Sequence, residues 1–143
     1  MERWMALDVG TKRIGVAVSD PLGLTAQGVE VFHRTGSVKR DLQHLTEVFQ
    51  AYQATGLVIG LPRHMDGRKG PEAEGVERFG RQLARKCGVS PHFWDERLTT
   101  VQAERVLLTA DLSRKKRRLV IDQTAAVILL ESFLQYKKTQ SQS

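Results

Sequence analysis

Two short apolar runs, at residues 4–9 and 14–19, stand on either side of a turn-forming tetrapeptide, and this pattern constrains the fold more than any other in the chain. The tetrapeptide is Gly10-Thr11-Lys12-Arg13. Two strand-length runs joined by a short segment that contains glycine predict a β-hairpin. A further run at residues 28–32 predicts a third strand, so the chain is expected to open with an antiparallel meander.

The period of the apolar residues then changes from two to about 3.6, which is the period of an α-helix. Apolar side chains recur along one stripe of residues 38–52, directly after Ser37, a residue type that caps helices. The short run 57–59 lies between two glycines and predicts a buried strand that is reached by a crossover. A hairpin followed by a helix and a buried strand predicts a mixed α/β sheet.

The second half of the chain repeats this alternation. Residues 61–70 are expected to form a loop, followed by a helix that begins at Pro71 and ends at Gly88. A strand is predicted at residues 92–95. Two more helices follow, one opened by Thr99 with Gln102 as a capping box, and one around residues 125–134 that is apolar nearly all round and is expected to pack deeply against the sheet.

The length of 143 residues, with 41% hydrophobic and 27% charged residues, is enough for one core. We expect a single domain over residues 1–136 and a flexible tail at residues 137–143. No apolar run approaches the roughly 20 residues that span a bilayer, and the amino end does not resemble a signal peptide, so a cytoplasmic protein is expected. The one cysteine, Cys87, cannot form an internal disulfide, and no Cys or His cluster has zinc spacing.

Basic residues outnumber acidic ones by 22 to 16, which gives a formal charge of +6 and a pI near 9.8. This balance favours a partner with a phosphate backbone, that is, a nucleic acid. Several cations lie close in sequence to the acidic residues discussed next and are the candidate nucleic-acid contacts. They are Lys12, Arg13, Arg97, Arg114, Lys115, Lys116, Arg117 and Arg118.

Three carboxylates, those of Asp8, Glu96 and Asp122, lie in or beside apolar elements, where an unpaired charge is costly. If the strands that carry Asp8 and precede Glu96 are parallel neighbours, and the last helix crosses them, the three groups converge near one end of the sheet. Carboxylate oxygens with water suit Mg²⁺ or Mn²⁺. Two such ions about 4 Å apart activate a water and stabilise the leaving oxygen in phosphodiester cleavage.

Two alternatives to this metal site remain open. The carboxylates are equally suited to ion pairs and helix caps in so basic a protein. Asp95 also competes with Glu96 for the same role, because strand alternation turns adjacent side chains to opposite faces. The glycine-containing loop at residues 60–70 is either a phosphate-binding loop that uses backbone amides or an ordinary connection.

Four ordered blocks resemble the YqgF/RuvX family, which is described as Holliday junction resolvases and pre-16S rRNA nucleases. The first block is ALDVGTKRIGVAVSD at residues 6–20. The others are GLP at 60–62 with MDG at 65–67, DERLTT at 95–100, and ID at 121–122 with AA at 125–126 and IL at 128–129. Together they extend over nearly the whole chain, so the resemblance is specific.

The resemblance implies an RNase H-like fold, in which a mixed five-stranded sheet, an antiparallel meander followed by parallel strands, is flanked by helices. It implies that Asp8 bridges the metal ions and that Glu96 and Asp122 complete the site. It further implies 5′-end processing of pre-16S rRNA in a ribosome precursor, with four-way DNA junctions as the alternative substrate. Ala125 departs from the pattern, because related resolvases carry a second aspartate three residues along the final helix.

Two rival functions come from other classes of protein. The tetrapeptide Asp8-Val9-Gly10-Thr11 also resembles the first phosphate loop of actin-like ATPases and sugar kinases, but those proteins need two such lobes and this chain has one copy of the motif. A non-catalytic nucleic-acid or ribosome-binding factor would keep the basic residues without needing the three carboxylates. A junction resolvase is expected to act as a symmetric homodimer and an RNA nuclease as a monomer or homodimer.

Overall fold

The computed structural model describes residues 2–64, 66–98 and 114–141, with side chains described except at residues 98, 114–124 and 141. Within these ranges the chain forms five strands and three α-helices, with a short 3₁₀ turn at Glu96–Leu98. In chain order they are β1 (Trp4–Val9), β2 (Arg13–Ser19), β3 (Ala26–His33), α1 (Val38–Ala51), β4 (Gly56–Leu61), α2 (Pro71–Cys87), β5 (Pro91–Asp95) and α3 (Arg114–Ser141). None of the helices in this described part is long and apolar enough to cross a membrane.

The five strands form one mixed sheet in the order β3-β2-β1-β4-β5. β1, β2 and β3 pair antiparallel, as a meander, whereas β4 pairs parallel with both β1 and β5. Parallel neighbours need a crossover connection, and α1 and α2 supply the two crossovers. The predicted mixed sheet, antiparallel first and then parallel, is therefore confirmed, and the carboxyl ends of β1, β4 and β5 meet at one end of it.

Alternation along the strands divides the apolar side chains between the two faces of the sheet. One face packs against α1 and α2, and its fully buried side chains include Met5, Leu7 and Ile59. The other face packs against α3, with Trp4, Ala6 and Val58 contributed by the sheet. The helix supplies Ala126, Leu129, Leu130, Phe133 and Leu134 to this second cluster. The expected deep packing of the last helix is confirmed.

α3 runs antiparallel to β1, which fixes the end of the sheet at which each half of the helix lies. The ring of Phe133 lies 4.7 Å from that of Trp4, centroid to centroid, at the start of β1. Lys137 lies one turn later, with its ammonium 5.0 Å from the Trp4 ring centroid and 3.6 Å from Oε2 of Glu2. α3 continues through Ser141, beyond the residues 125–134 around which the sequence predicted it.

The predicted ends of α1 and α2 agree with the observed ones. The Ser37 side chain accepts a hydrogen bond from the Arg40 amide at the start of α1, Pro71 opens α2, and Gly88 ends it with φ at 75°. The helix expected to begin at Thr99 lies outside the described residues.

A buried ion pair that the sequence did not indicate holds the start of α1. Asp41 is 1% exposed and accepts hydrogen bonds from Nε of Arg34 at 3.0 Å and from the amide and hydroxyl of Thr35, both at 2.9 Å. Burial alone would raise the pKa of Asp41, but the hydrogen bonds from Thr35 and Arg34 outweigh it and lower that pKa. Asp41 is therefore a structural carboxylate, which ties the segment before α1 to the first turn of the helix.

Two glycines in α2 are expected to respond with opposite signs to replacement by alanine. A Cβ on Gly80 would lie 2.5 Å from Cδ1 of Ile59 and 2.8 Å from Cε1 of Phe93, whereas a Cβ on Gly75 would meet nothing within 4 Å. Gly75→Ala should raise the free energy of unfolding by about 0.5–1 kcal/mol through helix propensity. Gly80→Ala should lower it by about 1–2 kcal/mol, because overpacking exceeds the same propensity gain. Urea unfolding measures the free energy of unfolding of both variants. A change of the same sign in the two would contradict the close packing of Gly80 against Ile59 and Phe93.

Candidate metal and nucleic-acid site

Asp8 and Glu96 are buried carboxylates at the carboxyl end of the parallel strands. Asp8 is 8% exposed and lies near the end of β1, on the sheet face that also carries Trp4 and Ala6 and that α3 covers. Glu96 is 7% exposed and is the first residue after β5. Neighbouring strands of a sheet lie about 4.8 Å apart. The sheet therefore sets the distance between the backbones of two residues at the ends of its strands.

Gly60 of β4 lies between the strands of these two carboxylates and leaves the space in which Glu96 sits. The register that pairs Leu7 with Ile59 places Asp8 beside Gly60. A Cβ on Gly60 would stand 2.7 Å from Oε1 of Glu96 and 3.3 Å from its Cγ and Cδ. The Glu96 carboxylate therefore lies over Gly60, on the face of the sheet that carries Asp8. Two of the three predicted ligands are brought together by this arrangement.

Asp122, the third predicted ligand, is described in its backbone only, as part of α3. It lies four residues, about one helical turn, before Ala126, which is fully buried against the sheet. Eleven residues of helix separate it from Phe133, a rise of about 16 Å. Phe133 and Lys137 lie at the start of β1, so Asp122 belongs to the half of α3 away from these contacts.

Asp95, the rival to Glu96, is directed to the opposite face of the sheet and is engaged by arginines. It pairs in register with Leu61, which belongs to the cluster beneath α1 and α2. Its Oδ2 accepts from Nη2 of Arg97 at 2.7 Å, and both of its oxygens lie 3.1 Å from Nε of Arg97. The hydrogen bond from Arg97 holds the pKa of Asp95 below its ordinary value, although burial opposes it, and the pair raises the pKa of Arg97.

The predicted nucleic-acid contacts surround this end of the sheet to the extent that they are described. Lys12 and Arg13 lie at the tip of the hairpin directly after β1, with Lys12 exposed, and Arg97 follows Glu96. The basic run 114–118 forms the first turns of α3, and its side chains lie outside the described set. Its position at the amino end of α3 places the run beyond Asp122, away from Trp4 and Lys137.

The donor chemistry of the site fits a hard divalent cation. Both described carboxylates present oxygen ligands from a buried position, and the missing side chain of Gly60 leaves room beside them. Among the residues whose side chains are described, a set without Asp122, no three His, Cys, Asp or Glu side chains form a group that could hold a metal. Ala125, at the position where the resemblance led us to expect a second helix aspartate, is 2% exposed and offers no carboxylate.

Sequence reasoning included Gly60 and Arg63 in the candidate phosphate-binding loop at residues 60–70 but did not predict their contacts with β5 and the segment after it. The role of Gly60 depends on its lack of a Cβ, which would stand 2.7 Å from Oε1 of Glu96, and that of Arg63 on a 3.9 Å approach of its Nε to Oδ2 of Asp95. Both are contacts between segments distant in the chain, so no local pattern reveals them. The one available signal was the glycine between Ile59 and Leu61, inside an otherwise apolar strand, which indicates a close approach.

A mixed sheet with this order, covered by α1 and α2 on one face and by α3 on the other, defines an RNase H-like fold. The chain superposes on Thermus thermophilus RuvC, solved in complex with a Holliday junction substrate, with a TM-score of 0.62 over 99% of this chain and 98% of that one. The two sequences are 12% identical, so this likeness concerns the fold.

The chain belongs to the RuvX family, whose description is Holliday junction resolvase and whose model matches residues 2–136. It is 52% identical over 133 residues to a "Putative pre-16S rRNA nuclease" of Carboxydothermus hydrogenoformans, covering 93% of this chain and 96% of the relative. A protein of the same name from Moorella thermoacetica is 55% identical over 132 residues, covering 92% and 94%. The family resemblance drawn from the four sequence blocks is thereby confirmed, and the family is one of nucleases.

Proposed function

We propose that the protein is a metal-dependent endonuclease that cuts phosphodiester bonds in structured nucleic acid, and that its substrate is the 5′ end of pre-16S rRNA in a ribosome precursor. One observation carries the proposal. Asp8 and Glu96 are buried together on one face of the sheet, with Gly60 leaving room between their strands. The names of the relatives at 52% and 55% identity support the choice of substrate.

Asp8, Glu96 and Asp122 would hold Mg²⁺ or Mn²⁺ in this proposal. Bound there, the cation would supply a nucleophilic water at neutral pH and neutralise charge on the leaving oxygen. The carboxylates themselves would fix the position of the cation, because Asp8 is set by strand pairing and Glu96 by its contact with Gly60. Ala125 offers no fourth carboxylate, so these three side chains are the whole proposed protein ligand set, whether one ion or two is bound.

The cations around the site would bind the phosphates on either side of the cut. Lys12 and Arg13 approach from the hairpin tip and Arg97 from the segment after β5, so the polymer would cross the carboxyl ends of the parallel strands. Arg114 to Arg118 would extend this contact at the start of α3. Counterion release on phosphate binding makes such an interaction strongly dependent on salt.

Neutralising the basic run tests its share of that contact. Five consecutive residues of a helix are spread around its whole circumference, so about two of the five cations would contact one polymer. With all of residues 114–118 replaced by glutamine, the slope of log K against log salt should become shallower by about two. Arg85→Gln with Lys86→Gln, in the last turn of α2 at the far end of the sheet, is the control and should leave the slope unchanged. An unaltered slope in the glutamine variant would show that residues 114–118 do not contact the phosphates of the polymer.

A four-way DNA junction is the second candidate substrate, because the family description names resolution of such junctions. The two substrates are distinguished by incubating the protein with a precursor 16S rRNA 5′ segment and with a synthetic four-way junction, each with Mg²⁺, with Mn²⁺ and with chelator. Metal-dependent cutting of the RNA alone supports the proposal, and cutting of the junction alone replaces it with resolution. Binding without cutting in every lane would indicate a non-catalytic factor.

A further inference from the structure

Two arginines from different segments approach one carboxylate beside the proposed site. Arg97 donates hydrogen bonds to Asp95, with its Nη2 2.7 Å from Oδ2 and its Nε 3.1 Å from both carboxylate oxygens. Arg63, from the segment that joins β4 to α2, brings its Nε to 3.9 Å from the same Oδ2. We call Arg63, Asp95 and Arg97 the guanidinium bracket.

The bracket holds the segment between β4 and α2 at Gly67. Nη1 of Arg63 donates to the carbonyl of Gly67 at 3.4 Å, and a Cβ on Gly67 would lie 3.4 Å from Nη1 of Arg97. Gly67 also has φ at 91°, a conformation that favours glycine. Both guanidiniums therefore lie against one glycine, and Asp95 links the segment to the end of β5.

The bracket has the charge and exposure of an anion site. Two guanidiniums around one carboxylate have a formal charge of +1, with the exposed carboxylate of Asp66 also acting on Arg97, and the side chains of Arg63 and Arg97 are 30% and 32% exposed. Nε of Arg63 is buried and has no hydrogen-bond partner among the described residues, although a buried donor normally has one. The planar fork of a guanidinium matches the oxygens of a phosphate group.

Asp95 and Glu96 are consecutive residues, so the bracket lies directly across the end of β5 from the buried Glu96 carboxylate. Asp95 is on the α1 and α2 face, with Leu61, whereas Glu96 lies over Gly60 on the α3 face. A polymer that crosses the carboxyl ends of the parallel strands passes both groups. The bracket would then contact a phosphate at one side of the position that is cut.

We propose that the guanidinium bracket binds a backbone phosphate flanking the cleavage position, and that Asp95 is the positioning residue that aligns Arg63 and Arg97 for it. The path assumed for the polymer rests on the proposed function. The bracket itself is defined by the contacts of Asp95 and Gly67 alone.

Replacing Asp95 distinguishes a positioning role from a simple effect of charge, because the two predict changes of opposite sign in the affinity for a polyanion. Asp95→Asn removes a negative charge, which by electrostatics alone should tighten the binding of a polyanion. Loss of the aligned guanidiniums should instead weaken it by about tenfold, the effect of one lost charge-assisted contact. The control is Asp66→Asn, which removes the same charge from an aspartate 55% exposed in the same segment and paired with Arg68. The control should bind as wild type or more tightly.

The measurement is fluorescence anisotropy of a labelled hairpin from the precursor 16S rRNA 5′ segment, in chelator and over a series of salt concentrations. Arg97→Gln should make the slope of log K against log salt shallower by about 0.7–0.9, the share of one phosphate. Arg81→Gln, which removes an exposed arginine of α2 paired with Glu77, should not change it. Circular dichroism of each variant confirms that it is folded, and Arg97→Lys, which keeps the charge, should restore the slope.

Wild-type or tighter binding by Asp95→Asn would overturn the proposal, as would a wild-type salt slope in Arg97→Gln. Because chelator prevents metal-dependent cutting, these outcomes do not depend on the proposed function. That function fails on a different result, cleavage by Asp8→Asn at the wild-type rate.

Discussion

Replacement of Asp8 by asparagine is expected to lower the rate of metal-dependent cleavage by about 1000-fold or more while leaving nucleic-acid binding in place. Asparagine keeps the size of the side chain and one oxygen, but it removes the negative charge that would hold the cation. Asp8 lies at the end of a strand paired on both sides, so the backbone is expected to stay where it is. The free energy of unfolding should change by less than about 1 kcal/mol, since charged site residues seldom add stability.

Asp41→Asn is the matched control, because Asp41 is also a buried aspartate but is used for structure. It should keep the cleavage rate of wild type and lose about 1–3 kcal/mol of stability at pH 7. The lowered pKa of Asp41 sets the pH dependence of that loss. The contribution is present above the ordinary carboxyl value of 3.8 and disappears as pH falls through the lower folded-state pKa, so the two proteins should converge in acid. Cleavage lost in both variants, or in neither, would remove the distinction between the two carboxylates.

Gly60→Ala is expected to lower cleavage by about 10- to 100-fold without unfolding the protein. Its Cβ would come within 2.7 Å of Oε1 of Glu96, so the carboxylate must move, and a displacement of about 1 Å at a reacting group has effects of this size. The atom that must yield is the end of a flexible side chain, which makes the cost in stability small. Single-turnover cleavage and urea unfolding, measured on the same preparation, give the two quantities.

The interpretation of Gly60→Ala depends on its coupling to Glu96. Glu96→Asp shortens the side chain by one methylene and should itself reduce cleavage. If the two positions act through one contact, the double variant loses less than the product of the single losses. Gly75→Ala, where a Cβ meets nothing within 4 Å, is the control for the same substitution at an unrelated glycine. Independent, multiplicative losses would show that Gly60 does not position Glu96.

Local patterns predicted most elements of the fold. The meander, the helix capped by Ser37, the buried strand and the helix from Pro71 to Gly88 were each indicated by periodicity and by helix or turn signals that operate within a few residues. The end of α3 was placed too early, because the contacts that extend it join Lys137 to Glu2 and Trp4 at the other end of the chain. A local pattern contains no information about such a contact.

The site was predicted as Asp8, Glu96 and Asp122, and residue patterns alone left Asp95 open as a rival to Glu96. Asp8, Asp41, Asp95 and Glu96 are all acidic residues in or near apolar segments, yet Asp41 pairs with Arg34 at the start of α1 and Asp95 holds two arginines. What distinguishes Asp8 and Glu96 is that β1, β4 and β5 are neighbours in the sheet, in a register that places Gly60 beside Asp8. Register is a property of paired strands, so it becomes known only with the tertiary structure.

Titration of Mn²⁺ into the protein, with free Mn²⁺ followed by electron paramagnetic resonance, tests the central claim most directly, because it needs no substrate. Wild type should bind Mn²⁺, and Asp8→Asn, Glu96→Gln and Asp122→Asn should each weaken binding by about tenfold or more, as the loss of a charged ligand requires. The control variant Asp66→Asn, which changes an exposed aspartate in the segment before α2, should bind Mn²⁺ as wild type does. Undiminished affinity in Asp8→Asn and Glu96→Gln would contradict the claim that these buried carboxylates hold the metal.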